Sequence, residues 1–392
     1  MMAAFAAAGA AFTACSSDDT LATQQTPEAP VVKGTPFKVS AFAEGTTRAT
    51  RYNSDAWDGT NDETWVSNIK VWGKQPTSEN LWMNNVVFER ETYDGEWSPV
   101  RNNDGNIASL SWPTTNTDEP TTFYAITDNA IGAATGNPVT GVNPWMSTAG
   151  EFEYTMPSTT SSIKWSESNS YAFDQIETGL VDNSKVNDLM VANISVKESG
   201  TTEGTLPLAF SHILSGLTIK AKFVNEDGRR YYDEENEEMV GYLAKIKGIK
   251  VCGLNTSGTY IIGSGWSSLN TTSYCYYKDL SSQNIQLDAE ATLTNTVTLV
   301  SAGEWLVIPQ TTTPWDLTTD KTFSSLKNAY IGIYIEDENE SELVLYYPLS
   351  TTFNPGKNKV LTIEIGDGRD VFSDSEGDGY ADYQFEPGQA GE

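Results

Sequence analysis

Histidine is almost missing from this chain: His212 is the single one in 392 residues. One imidazole excludes an HExxH zinc site, which needs two, and leaves a Ser-His-Asp hydrolase no base except His212. No glycine-rich phosphate loop of the Walker or Rossmann type occurs. Cations are scarce as well, with 24 Lys plus Arg against 53 Asp plus Glu, a net charge of -29. So acidic a body repels nucleic acid and anionic membrane surfaces, and stays soluble in a crowded medium. Beyond residue 15 no apolar run approaches the ~20 residues of a membrane span. Few windows carry the 3.6-residue apolar period of a helix; "DKTFSSLKNAY" (320–330) is one short helix or none. Carboxylates abound, but no pattern singles out a pair spaced for glycoside hydrolysis.

Cysteine is sparse too: Cys15, Cys252 and Cys275. With Cys15 consumed at the N-terminus, an even pair remains. Cys252 and Cys275 then stand either as a bridge in an oxidising compartment or as two buried thiols.

What the chain does have begins with "MMAAFAAAGAAFTAC", an apolar run the length of a signal h-region and too short to span a membrane. "FTAC" resembles the bacterial lipobox, with Phe12 in place of the usual leucine, and implies lipidation at Cys15. The following "SSDDT" resembles the acidic export signal of Bacteroides-type surface lipoproteins. Residues 1–14 thus read as a lipoprotein signal peptide and 15–33 as a flexible, proline-containing tether.

From residue 34 onward, short strands and turns follow one another. "PFKVSAFA" sets Phe37, Val39 and Ala41 against Lys38, Ser40 and Phe42. "NVVFERETYDGEWSPV" reads as a hairpin about Asp94-Gly95. "LPLAFSHIL" places Leu206, Leu208, Phe210, His212 and Leu214 on one face, and Ser215-Gly216 shifts the parity, as at a bulge or sharp bend. "KIKGIKVCGLNTSGTYII" reads as a further hairpin. Residues 128–170 have long-loop composition, and "KESGTTEGT" (197–205) that of a linker. Evenly spaced short strands without helices predict an all-β protein of two tandem β-sandwiches, 34–199 and 200–368, ahead of an acidic tail, 369–392.

Several phrases carry a resemblance. "DLMVANISV", "LPLAFSHILSGLTIKAKF", "EWLVIPQTT" and "LVLYYPLSTTFNPGKNKVLTIEIG", with "SWPTTNTDEPTTFYAITD" earlier, resemble in their order the fimbrillin-like family of Gram-negative gut and oral anaerobes. The resemblance implies two transthyretin-like Greek-key sandwich domains in a lipoprotein precursor. It implies a pilus at the outer membrane, built when a trypsin-like protease cuts after an arginine beyond the first strand and a neighbour's strand fills the groove. Arg48 stands at the position resembling the processing arginine, with Arg51 a near alternative; both also read as ordinary loop arginines. The implied partners are other fimbrial subunits, the outer membrane through the lipid, and a host or bacterial surface glycan or protein. The acidic tail departs from the pattern: only Ala381, Tyr383 and Phe385 share a face, which makes a poor donor strand and favours an accessory, tip or anchor role.

Two further constellations stand beside this reading. Asp374, Glu376, Asp378 and Asp382 fall at positions 1, 3, 5 and 9 of a calcium-type loop with Gly379 at 6, but Phe385 replaces the acid at 12, which favours an ordinary acidic tail over a calcium loop. Ca²⁺ is the one cofactor this suggests. Eight of the 11 tryptophans lie in the first half. Trp145 and Trp165, in loop-like sequence, would stack on sugar rings if exposed, or else pin loops to the sandwich. The sequence expectation is therefore a non-enzymatic surface fimbrial subunit, with a monomeric glycan-binding lipoprotein as the alternative.

Overall fold

A computed structural model describes residues 35–43, 66, 68–75, 81–91, 95–99, 110–113, 119–127, 150–159, 179–186, 188–224, 231–233, 238–240, 243–271, 274–288, 296–315, 328–337, 342–366 and 371–374. Among them there is no α-helix, only two single 3-10 turns, at Glu198–Gly200 and Ser281–Gln283. The all-β expectation holds. Residues 320–327 of the doubtful helix lie outside the described residues.

The first part of the chain supplies β1 (Lys38–Ala43), β2 (Asn68–Lys74), β3 (Leu81–Glu89), β4 (Ser98–Pro99), β5 (Thr121–Thr127), β6 (Glu151–Thr155), β7 (Ser158–Thr159), β8 (Leu180–Val181), β9 (Met190–Val196) and β10 (Thr205–His212). Seven of these form one sheet in the order β1-β10-β9-β5-β2-β3-β4. Alternation sets its inner face: Phe37 and Val39, Ile69 and Val71, Phe123 and Ala125, and Leu206, Leu208 and Phe210 are all buried in one core. The expected hairpin forms, with Phe88 opposite Pro99 and Glu89 opposite Ser98. Residues 197–205 join β9 to β10 within this sheet, so the sheet runs past residue 200 and the chain leaves it after His212.

The second part supplies β11 (Ser215–Val224), β12 (Tyr231–Asp233), β13 (Glu238–Val240), β14 (Leu243–Cys252), β15 (Asn255–Ile261), β16 (Gly265–Thr271), β17 (Tyr276–Asp279), β18 (Ile285–Asp288), β19 (Thr296–Val307), β20 (Tyr330–Asp337), β21 (Glu342–Pro348), β22 (Asn358–Gly366) and β23 (Val371–Asp374). Sheet β19-β11-β22-β23 and sheet β17-β14-β20-β21 contribute Leu217, Ile219, Leu361 and Ile363, and Ile249, Val251, Ile331 and Ile333, to a second core. The parity shift at Ser215-Gly216 marks the change of sheet: buried Ile213 and Leu214 carry the chain from β10 to β11.

The hairpin expected over "KIKGIKVCGLNTSGTYII" is not one. β14 pairs with β17, β18 and β20, whereas β15 pairs with β16 and β6. Gly253, at φ +76, turns the corner, and a Cβ there would lie 2.1 Å from the Asn328 carbonyl oxygen. Only glycine allows so close a backbone approach.

The β6–β15 pairing also ties the two parts together. Trp72, Ile126, Tyr154 and Val191 of the first part are buried in the second core, so the two cores meet across the seven-stranded sheet. A polar group sits at this junction. His212 Nδ1 lies 3.1 Å from Asp188 Oδ2, with both side chains buried. Burial, and next the Asp188 charge, push the Tyr154 phenol well above its usual range. Cys252 and Cys275 form a disulfide, buried in the protein. It pins the strand lead-in whose Cys275 carbonyl accepts the Val181 N–H at 2.9 Å.

Two outcomes follow for stability. His212→Leu removes the imidazole facing a buried carboxylate and is expected to cost about 3 kcal/mol in urea unfolding; adding Asp188→Asn should recover much of that loss. The disulfide closes a 23-residue separation, and replacing both cysteines by serine should lower stability by about 3 kcal/mol on a chain-entropy basis.

Candidate functional site

β1 lies at the edge of its sheet. Among the described residues its strand neighbour is β10, to which it runs parallel with Lys38 opposite Thr205 and Ala43 opposite Phe210. The Lys38 N–H donates to the Gly204 carbonyl at 3.1 Å. Period two then turns the N–H and C=O of Lys38, Ser40 and Phe42 toward β10, and those of Val39 and Ala41 away from it. β10 answers through Leu206, Leu208 and Phe210, so Pro207, which has no N–H to give, leaves this ladder intact.

The segment just before β1 is anchored differently. The Phe37 N–H donates to the Leu110 carbonyl at 2.9 Å, and the Trp112 N–H to the Thr35 carbonyl at 3.0 Å. The Trp112 indole N–H donates to the Gly204 carbonyl at 2.8 Å. Gly204 has φ +76, and a Cβ on it would lie 2.4 Å from the Pro36 oxygen and 2.9 Å from Thr35 Cγ2. The absent side chain lets residues 35 and 36 pass directly over β10's lead-in. Phe37 is thereby seated among Trp112, Trp82, Phe123 and Phe88, with ring centroids 5.1, 5.4, 5.6 and 6.1 Å away.

The outward flank of β1 is less filled. A cavity of about 410 Å³ is lined by Lys38–Ala41, Arg90, Gly95–Trp97 and Thr205. The Arg90 guanidinium lies 4.9 Å from the Trp97 ring centre, and its Nε donates to the Val66 carbonyl at 2.8 Å. Ala41 is only half-buried. Phe42, on the opposite face, is 49 % exposed, the exposed large apolar side chain among the described residues.

The other sequence candidates fall elsewhere. Cys15, Arg48 and Arg51 lie outside the described residues, as do Trp145, Trp165, Glu376, Asp378 and Asp382. Ala43 ends β1 five residues before Arg48. Asp374 pairs with Leu361 at the end of the β22–β23 ladder. Among the described residues no three His, Cys, Asp or Glu side chains are grouped to hold a metal. No helix there is long and apolar enough to cross a membrane. The buried tryptophans Trp72, Trp97, Trp112, Trp305 and Trp315 are core residues rather than sugar platforms. Sequence reasoning found β1 but missed Trp112 and Gly204, whose roles depend on a contact between residues 92 positions apart.

An all-β body with two cores, its first sheet closed by a leading edge strand, is the class of protein these elements define. The match to a family model for fimbrillin-like proteins, over residues 47–376, shows that the chain belongs to that family. No curated protein matches it. Among solved structures, it is similar to a Bacteroides ovatus protein provisionally named as a cell adhesion protein, at 12% identity and TM-score 0.40, covering 89% of this chain and 99% of that one. A Bacteroides uniformis protein of the same provisional name matches at 11% identity and TM-score 0.40, covering 88% and 98%. A fimbrial protein from Bacteroides ovatus matches at 13% identity and TM-score 0.27, covering 85% and 50%.

The Gly204 contact is open to test. In Gly204→Ala the new Cβ meets backbone in a left-handed conformation that costs a non-glycine residue about 1–2 kcal/mol. The Phe37 and Lys38 amides should then exchange hydrogen faster by NMR or mass spectrometry, while those of β5 and β9 keep their rates.

Proposed function

We propose that this chain is a surface fimbrial subunit, accessory or tip component, that joins its neighbours by strand exchange at the β1 position and serves adhesion rather than catalysis. The observation that carries the reading is the setting of β1: an edge strand, held by its ladder to β10, by the bonds of its lead-in to Leu110 and Trp112 and by one buried ring, that ends five residues before Arg48. Cutting after Arg48 would free residues up to that point. Loss of β1 would expose the Leu206, Leu208 and Phe210 amides together with an apolar trough. An incoming strand would restore both, with main-chain bonds giving affinity and alternate side chains giving register. Donor and acceptor would lie on different surfaces of a subunit, so the contact repeats as an open filament. Lipid on Cys15 would hold the precursor at the outer membrane, facing outward, until processing.

Membership in the fimbrillin-like family supports the fimbrial part of this reading. The alternative is a glycan-binding monomer, whose Trp145 and Trp165 lie outside the described residues.

Treatment of the full-length lipoprotein with a trypsin-like protease should yield a chain beginning at Ala49 by mass spectrometry, together with SDS-resistant oligomer ladders. Arg48→Ala with Arg51→Ala should abolish both. An intact lipidated chain that stays monomeric and binds sugars through Trp145 and Trp165 would favour the alternative.

A further inference from the structure

We infer that the groove under β1 chooses its strand by one aromatic ring: it takes an extended segment, running in the direction of β1, with a phenylalanine-sized ring where Phe37 now sits, and it admits a side chain larger than alanine where Ala41 sits. This rests on the strand-exchange reading and names the kind of partner that reading requires.

The ladder itself cannot discriminate. Lys38, Ser40 and Phe42 offer β10 main-chain groups that any residue except proline can offer. The three inward positions are unequal. Phe37 is 5 % exposed and touches four rings, so it carries both the large apolar area and the ring-on-ring geometry of the site. Val39 is buried without such contacts and Ala41 is half-buried, and both line the 410 Å³ cavity. Binding energy is thus concentrated at the first inward position and slack at the third.

Direction follows from the same asymmetry. A strand entering the opposite way would bring its leading ring to the Ala41 end and leave the Trp112 cage empty. The backbone at the ring end must also cross Gly204, where no Cβ stands in the way. One further consequence is specific. The N–H groups at Val39 and Ala41 point away from β10, so proline is accepted in a donor at either place and rejected at the Lys38, Ser40 and Phe42 places.

The test uses the full chain with a site-specific protease sequence inserted after Arg48, cut and allowed to exchange with fluorescent peptides of residues 35–43. Three peptides are compared by anisotropy: the native sequence, Phe37→Ala and Ala41→Leu. The account expects the native peptide to bind, Phe37→Ala to bind at least about a hundredfold more weakly, and Ala41→Leu to bind as tightly or more tightly. Equal binding of native and Phe37→Ala peptides would overturn the selection by the ring while leaving strand exchange standing. Weaker binding of Ala41→Leu would overturn the slack at the third position. If even the native peptide fails to bind a cut chain whose circular dichroism is still that of the folded β protein, strand exchange itself is refuted, and the inference with it.

Discussion

Phe37 in its cage of Trp82, Phe88, Trp112 and Phe123 closes the first core. Among the described residues the ring leads into an edge strand whose ladder is to β10, while its own segment is tied by main-chain hydrogen bonds to Leu110 and Trp112. Such an arrangement is stable while occupied and exposed once vacated. An edge strand is ordinarily a hazard because its partner's amides invite any other strand. Here the hazard is held in check by a side chain whose removal would leave a gap among Trp82, Phe88, Trp112 and Phe123. In the proposed cycle that same gap becomes the point of recognition.

The rest of the molecule is tied together by contacts that do not involve this strand. β6 crosses to pair with β15, and Trp72, Ile126, Tyr154 and Val191 are buried in the second core. The Cys252–Cys275 bridge and the His212–Asp188 contact lie on that second-core side and at the junction, none of them among the residues that cage Phe37. The low basic content fits the same division of labour. A net charge of -29 disfavours association through charge, and in the proposed cycle association would rest on a main-chain ladder and a ring, neither of which depends on charge.

Local patterns made the strands legible. Phe37, Val39 and Ala41 alternate with Lys38, Ser40 and Phe42, and the structure buries the first two and leaves the second three out, as period two requires. The turn at Asp94-Gly95 likewise foretold that β3 and β4 would pair. Long-range partners were not legible. Nothing near residue 38 says that its partner is Thr205, or that the two strands run parallel. "TEGT" reads as linker composition, yet Gly204 is the point over which the leading segment passes. "VCGLN" reads as a hairpin turn, yet Gly253 sends its two arms to different sheets. In each case a glycine's local signal was a turn, and its meaning was set by a backbone arriving from far along the chain.

The central claim is that β10 keeps its ladder while the strand beside it is replaced. Hydrogen–deuterium exchange with mass spectrometry on assembled, protease-treated oligomers tests this most directly. The account predicts that peptides from residues 35–43 are absent from the oligomers while the amides of Leu206, Leu208 and Phe210 remain as protected as in the uncut chain. Oligomers that still contain residues 35–43, or in which those three amides exchange freely, would contradict it.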